Sequence, residues 1–145
     1  MKYLLNEYLP FLDDICTRVV AYPENQIGAR IVAEYKSRGI NVFPVFSLLD
    51  CSRGWVPRPS EAIDCMRSFV EENKRPILFV GVDSYLEFLS IPERRDFFAG
   101  IYQLLELQKF CMHILVSLRI FRPYKSVNPK YEDSLQVIVF SGDQL

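Results

Sequence analysis

A chain of 145 residues has the length of one domain, enough to bury roughly two thirds of the surface its unfolded form exposes, and leaves little room for a second core. Half of its residues are hydrophobic, a composition that excludes intrinsic disorder. Its formal charge of -1 excludes a general field for nucleic acid or an anionic membrane, although a local basic patch can still form.

Residues 2–16 carry Leu5, Tyr8, Leu9, Leu12 and Ile15 at helical spacing, so an amino-terminal helix kinked at Pro10 is expected. Residues 17–22 are short, β-branched and apolar, and predict a strand. Pro23 suits the first turn of a helix over residues 24–38, which places Ile27, Ile31, Val32 and Tyr35 on one side and stops at Gly39. Residues 40–49 form a near-continuous apolar run, the pattern of a strand covered on both faces, closed by Asp50. A loop follows over residues 51–59. Ser60 and Glu61 then lead a helix through about residue 73. Residues 76–82 predict another buried strand, ended by Asp83.

Residues 91–108 repeat apolar positions at three and four (Phe97, Phe98, Ile101, Leu104, Leu105) and predict a helix. Residues 111–118 return to the buried-strand pattern, residues 119–131 read as a loop, and residues 134–140 read as the last strand. Strands that are apolar throughout and alternate with helices imply an α/β three-layer sandwich of about five mostly parallel strands, Rossmann-like or P-loop-like, with the extra amino-terminal helix. The carboxyl ends of the strands then share one edge, where ligands of such sheets bind. That edge would carry residues 23–28, Asp50, Asp83 and residues 117–119. Strand order, which spacing does not encode, separates a nucleotide-hydrolase frame from an unrelated parallel sheet such as a flavodoxin-like one.

The four cysteines, Cys16, Cys51, Cys65 and Cys111, are scattered without a C-x-x-C pair, and there is one histidine, so zinc-ligand spacing is absent. Three of them lie in apolar surroundings, and a core this apolar does not need disulfide staples; buried thiols in a reducing cytoplasm are expected. Residues 1–7 are broken by charge before an apolar stretch develops, so no secretory signal is expected, and the apolar runs fall short of the ~20 residues of a membrane-spanning helix. Residues 141–145 follow an apolar strand without a polar tail, which reads as a domain of a longer polypeptide.

The bend Pro23-Glu24-Asn25-Gln26-Ile27-Gly28-Ala29-Arg30 sits where a phosphate-binding loop would. Against G-x-x-x-x-G-K-[ST], Gly28 matches, Pro23 stands at the first glycine, Ala29 at the lysine and Arg30 at the hydroxyl position. With Ile77-Leu78-Phe79-Val80-Gly81-Val82-Asp83, similar to a Walker B strand, and Met112-His113-Ile114-Leu115-Val116-Ser117, similar to the strand that ends in a polar sensor residue, the chain resembles the P-loop NTPase superfamily over roughly residues 17–121. Its AAA and signalling-ATPase branches are the nearest. The resemblance implies nucleotide contacts at Gly28, Asp83 and Ser117. The departures imply that hydrolysis is gone: Ala29 cannot neutralise a triphosphate, Arg30 cannot ligate magnesium, Glu24 opposes an anion at the helix start, and Ser84 stands where hydrolytic members usually carry a carboxylate. Degenerate modules of this kind occur as amino-terminal parts of larger bacterial proteins, PglZ-type components of phage-defence systems among them.

Asp50 and Asp83 together would suit a divalent metal at the carboxyl edge, whereas each alone would cap the turn that follows it, the reading Asp favours at such positions. His113, flanked by Met112 and Ile114 and without a nearby nucleophile, reads as a satisfied core or edge histidine. Glu87, placed to be a displaced general base, and Glu93 read as solvated surface. Arg53, Trp55 and Arg58 in one loop, with Arg119, Arg122 and Lys125 in another, would form a basic surface with an exposed aromatic, suited to a protein partner or to a phosphate backbone with a stacked base. The expected function is a non-catalytic interaction or scaffolding module without a cofactor, whose partners are other domains of the same chain or a partner protein. The alternatives are a nucleotide- or metal-binding enzyme domain and a nucleic-acid-binding accessory domain.

Overall fold

A computed structural model describes residues 2–3, 7, 17–23, 25–49, 56–107, 112–124 and 137–140. Its six strands are β1 (Lys2–Tyr3), β2 (Arg18–Tyr22), β3 (Asn41–Pro44), β4 (Ile77–Val80), β5 (Met112–Ser117) and β6 (Val137–Phe140). They form one sheet in the order β1-β6-β2-β5-β4-β3, and every pairing is parallel. The helices are α1 (Asn25–Ser37), α2 (Pro59–Asn73), α3 (Val82–Glu87), α4 (Ile91–Leu107) and α5 (Leu118–Phe121), with 3-10 turns at Val45–Ser47 and Arg122–Tyr124.

Both sides of the sheet are covered, which is why its strands read as unbroken apolar runs. Successive residues of a strand point to opposite faces. Val20, Leu78, Leu115 and Ile138 therefore meet Ile27, Ile31 and Tyr35 of α1. Val19, Ala21, Phe79, Ile114 and Val139 meet Met66 and Val70 of α2 and Phe97, Phe98, Ile101 and Leu105 of α4. Each valine, leucine, isoleucine, methionine or phenylalanine among them contributes about 1.5–3 kcal/mol when fully buried. This is the expected α/β three-layer sandwich.

The chain leaves β2 through α1 on one face and reaches the far edge at β3. It then steps back through β4 and β5, past β2, to β6, with α2 and α4 on the other face. A reversal of direction with a change of face is what right-handed crossovers require. The segments leaving β2 and β5, which are neighbours, therefore diverge above their carboxyl ends.

Several boundaries differ from those read in the sequence. Lys2 and Tyr3 are not helical but extend along β6; of the rest of residues 2–16 only Glu7 is described, and it is helical. The run 40–49 yields a strand of four residues, half-buried or exposed along its length because β3 is the edge of the sheet. Pro44, which cannot donate to a ladder, ends it, and a 3-10 turn takes Val45 into the core. The stretch after Ser117 opens as helix α5 and a 3-10 turn rather than a loop, with Ser117 Oγ accepting from the Ile120 N–H at 3.4 Å. The strand before Asp83 stops at Val80. Gly81 adopts a left-handed conformation (φ 76°), which costs any other residue strain, and turns the chain so that Asp83 lies in the first turn of α3.

Candidate functional site

The crevice above the carboxyl ends of β2 and β5 is where an open parallel sheet offers its ligand site. Here it is held shut by one carboxylate. Tyr22 and Ser117 are register partners at the ends of the two strands. Asp83, arriving from α3 beyond β4, accepts the Tyr22 hydroxyl on Oδ2 at 2.5 Å and the Ser117 backbone N–H on Oδ1 at 2.8 Å. Both oxygens thus serve to tie β2, β5 and α3 together. Hydrogen bonds to an ionised acceptor are short and about twice as strong as neutral ones.

The Tyr22 ring then lies across α1. A Cβ placed on Gly28 would stand 3.1 Å from Cδ2 and 3.2 Å from Cε2 of that ring, closer than ordinary van der Waals contact. At Gly28 a side chain would thus press on an aromatic ring of this chain, which would have to give by a few tenths of an ångström. The same bareness in a working phosphate loop admits phosphate. Burial raises the Tyr22 phenol well above the usual tyrosine range, and the hydrogen bond and negative charge of Asp83 push it the same way, against a smaller opposing effect of Arg119.

What is left of the crevice is a hollow of about 170 Å³, lined by Tyr22, Asn25, Gly28, Ala29, Val32, Val80, Gly81, Asp83 and Leu115. Pockets for small-molecule ligands run from about 300 Å³ upward. The lining includes one acid and no cation, and Arg30 points to solvent from the exposed side of α1.

The structure thus brings Gly28, Asp83 and Ser117 together, as the sequence placed them, and adds Tyr22, which the sequence reading missed. Its signal was present: the last residue of the strand entering the bend is a large aromatic where a small one would leave room. Asp50 lies outside the described residues, so the Asp50/Asp83 pair is not described, and no group of three or more His, Cys, Asp or Glu suited to a metal occurs among the described residues.

His113 is buried, with Nδ1 2.5 Å from the Tyr35 hydroxyl and the two rings edge to face at 5.4 Å. It faces α1 four residues before Ser117, about 13 Å along the strand from the crevice. Arg18, its register partner, is buried, as is Thr17; both are polar residues within the run 17–22 that the sequence presents as an apolar strand. Glu93 forms a capping box with Ser90: the Ser90 N–H donates to Oε1 at 3.0 Å and the Glu93 N–H to Ser90 Oγ at 3.3 Å. The first of these bonds lowers its carboxyl below the usual range.

Of the basic surface, Arg53, Trp55 and Lys125 lie outside the described residues. Arg58 is exposed just before Pro59 opens α2. Arg119 and Arg122 are exposed on the segment after β5, and Arg119 stands 3.4 Å from Glu87 with 78% of its side chain exposed, a geometry worth little in water. Cys65 is an exposed free thiol on α2 rather than a buried one; Cys16, Cys51 and Cys111 lie outside the described residues. No helix among the described residues is long and apolar enough to cross a membrane. Comparison of the chain with protein-family models, with curated proteins and with solved structures gave no match.

Proposed function

We propose that this chain is a non-catalytic, degenerate P-loop-like domain that serves as an interaction or scaffolding module of a larger, cytoplasmic bacterial protein. The observation that carries the reading is the Tyr22–Asp83–Ser117 lock. An aromatic ring fills the space against Gly28, and the acid that would hold magnesium spends both oxygens inside the fold. Strand order supports the same frame. The strand entering the bend and the strand ahead of Asp83 are separated by β5. That is neither the flavodoxin-like nor the dinucleotide-binding order. The exposed thiol of Cys65 favours a reducing compartment.

A second reading, a nucleotide-binding enzyme domain, draws on the convergence of Gly28, Asp83 and Ser117 at the switch in strand order. Calorimetry separates the two. Titration with MgATP and MgGTP is expected to give no saturable heat, and saturable binding in the micromolar range would reject the non-catalytic reading.

A further inference from the structure

A concavity larger than the crevice lies elsewhere on the molecule. It is a groove of about 720 Å³ between the amino end of α4 and the segment after β5, lined by Ile91, Pro92, Arg94, Arg95, Arg119, Ile120, Pro123 and Tyr124. Its floor is apolar, made by the buried Ile120 and Tyr124 with the exposed prolines. Its rim is cationic. Arg94 donates Nε to the Leu86 carbonyl at 2.8 Å, which fixes the plane of its guanidinium over the groove wall. Arg95 makes no ion pair among the described residues, and Arg122 adds a further exposed cation one residue before Pro123. Against these four arginines the one acid paired at the mouth is Glu87, held loosely by Arg119.

Two large apolar side chains, three residues apart in sequence, are exposed. Phe88 is 68% exposed and Ile91 63% exposed, and Ile91 belongs to the groove itself. An apolar floor rimmed by arginines, of which, among the described residues, Arg119 alone is paired with an acid, Glu87, matches a ligand that carries aliphatic side chains and carboxylates together. Nucleic acid fits less well, because Tyr124 is 6% exposed and offers no ring face to a base. Building on the reading of this chain as an interaction module, we propose that the groove between α4 and α5 binds an acidic peptide segment of a partner protein. Aliphatic side chains of the peptide would lie on Ile120 and Pro123, and its carboxylates would meet Arg94, Arg95 and Arg119, where planar guanidinium forks suit bidentate pairing.

The test is fluorescence anisotropy with a fluorescein-labelled peptide of repeated Glu-Glu-Leu units, its Lys-Lys-Leu counterpart and a labelled oligothymidylate. The acidic peptide is expected to bind saturably, more weakly as salt rises, and to lose at least about tenfold in affinity in Arg95→Glu/Arg119→Glu while Arg67→Glu on α2 binds as the parent does. The basic peptide is expected not to bind. The proposal is overturned by absence of saturation at low ionic strength, by unchanged affinity in the double variant, by equal binding of the basic peptide, or by oligothymidylate binding that the double variant abolishes. The MgATP titration keeps the two readings apart: peptide failure with a silent titration removes the groove alone, whereas saturable nucleotide binding removes the module reading whatever the peptide does.

Discussion

Replacing Asp83 with Ala is expected to lower the unfolding free energy by about 2–3 kcal/mol, because two donors lose a charged acceptor at once. The Ser117 N–H cannot turn elsewhere, since the strand fixes it, and the Tyr22 hydroxyl is left partly buried. For a chain of this length the loss corresponds to a fall in Tm of about 6–10 °C. Tyr22→Phe removes one of the two bonds and leaves Oδ2 reachable by water, so its cost is about 1 kcal/mol. The Tyr22 phenol also has a pH signature. Its folded value lies above its unfolded value near 10, so its contribution is complete below about pH 10 and is lost as pH rises toward the folded value. Tyr22→Phe should therefore flatten the alkaline decline of stability. Denaturant melts of both variants from neutral to alkaline pH check this. A Tyr22→Phe cost equal to that of Asp83→Ala would mean that the Ser117 bond contributes nothing.

Phe98→Ala is expected to cost more, about 3–5 kcal/mol, the usual range for deleting a fully buried phenylalanine ring. Phe98 has no exposed surface, and its ring meets Phe97 at 5.5 Å, Phe121 at 5.4 Å and Tyr124 at 5.3 Å between centroids. The cavity would lie between α4 and the segment after β5, so the floor of the arginine-rimmed groove would loosen along with the fold. Phe88→Ala, in contrast, removes a ring that is 68% exposed and should change stability by no more than about 0.5 kcal/mol. Thermal melts of the pair provide the comparison. A Phe98→Ala loss below about 1.5 kcal/mol would show that the core closes over the vacancy, contrary to a rigidly packed aromatic cluster.

The sheet was legible in the sequence because its central strands are buried on both faces and so read as largely apolar runs, and because α1 and α4 repeat their apolar positions at helical spacing. Strand ends were less legible. The apolar run that contains β3 continues past the strand because Val45 turns into the core on a 3-10 turn, and hydrophobicity does not distinguish the two. Gly81 marked the turn that moved Asp83 off its strand, but a glycine within an apolar run also suits a strand. The candidate site was half legible. The chain order that puts Gly28, Asp83 and Ser117 on one edge follows from alternation alone. The role of Tyr22 depends on which strand lies beside which, and in a parallel sheet that is settled by crossovers far apart in sequence. The groove was still less visible, since Arg94, Arg95 and Arg119 come from two elements, distant in sequence, that meet through the packing of Phe98 on Phe121 and Tyr124.

The closed crevice is tested most directly by a crystal of the chain soaked in magnesium and ATP. A shut lock leaves the Tyr22 ring against Gly28, its hydroxyl on Asp83, and no phosphate at the amino end of α1. A triphosphate seated against Gly28, with Tyr22 swung away and Asp83 turned toward a metal ion, would contradict it.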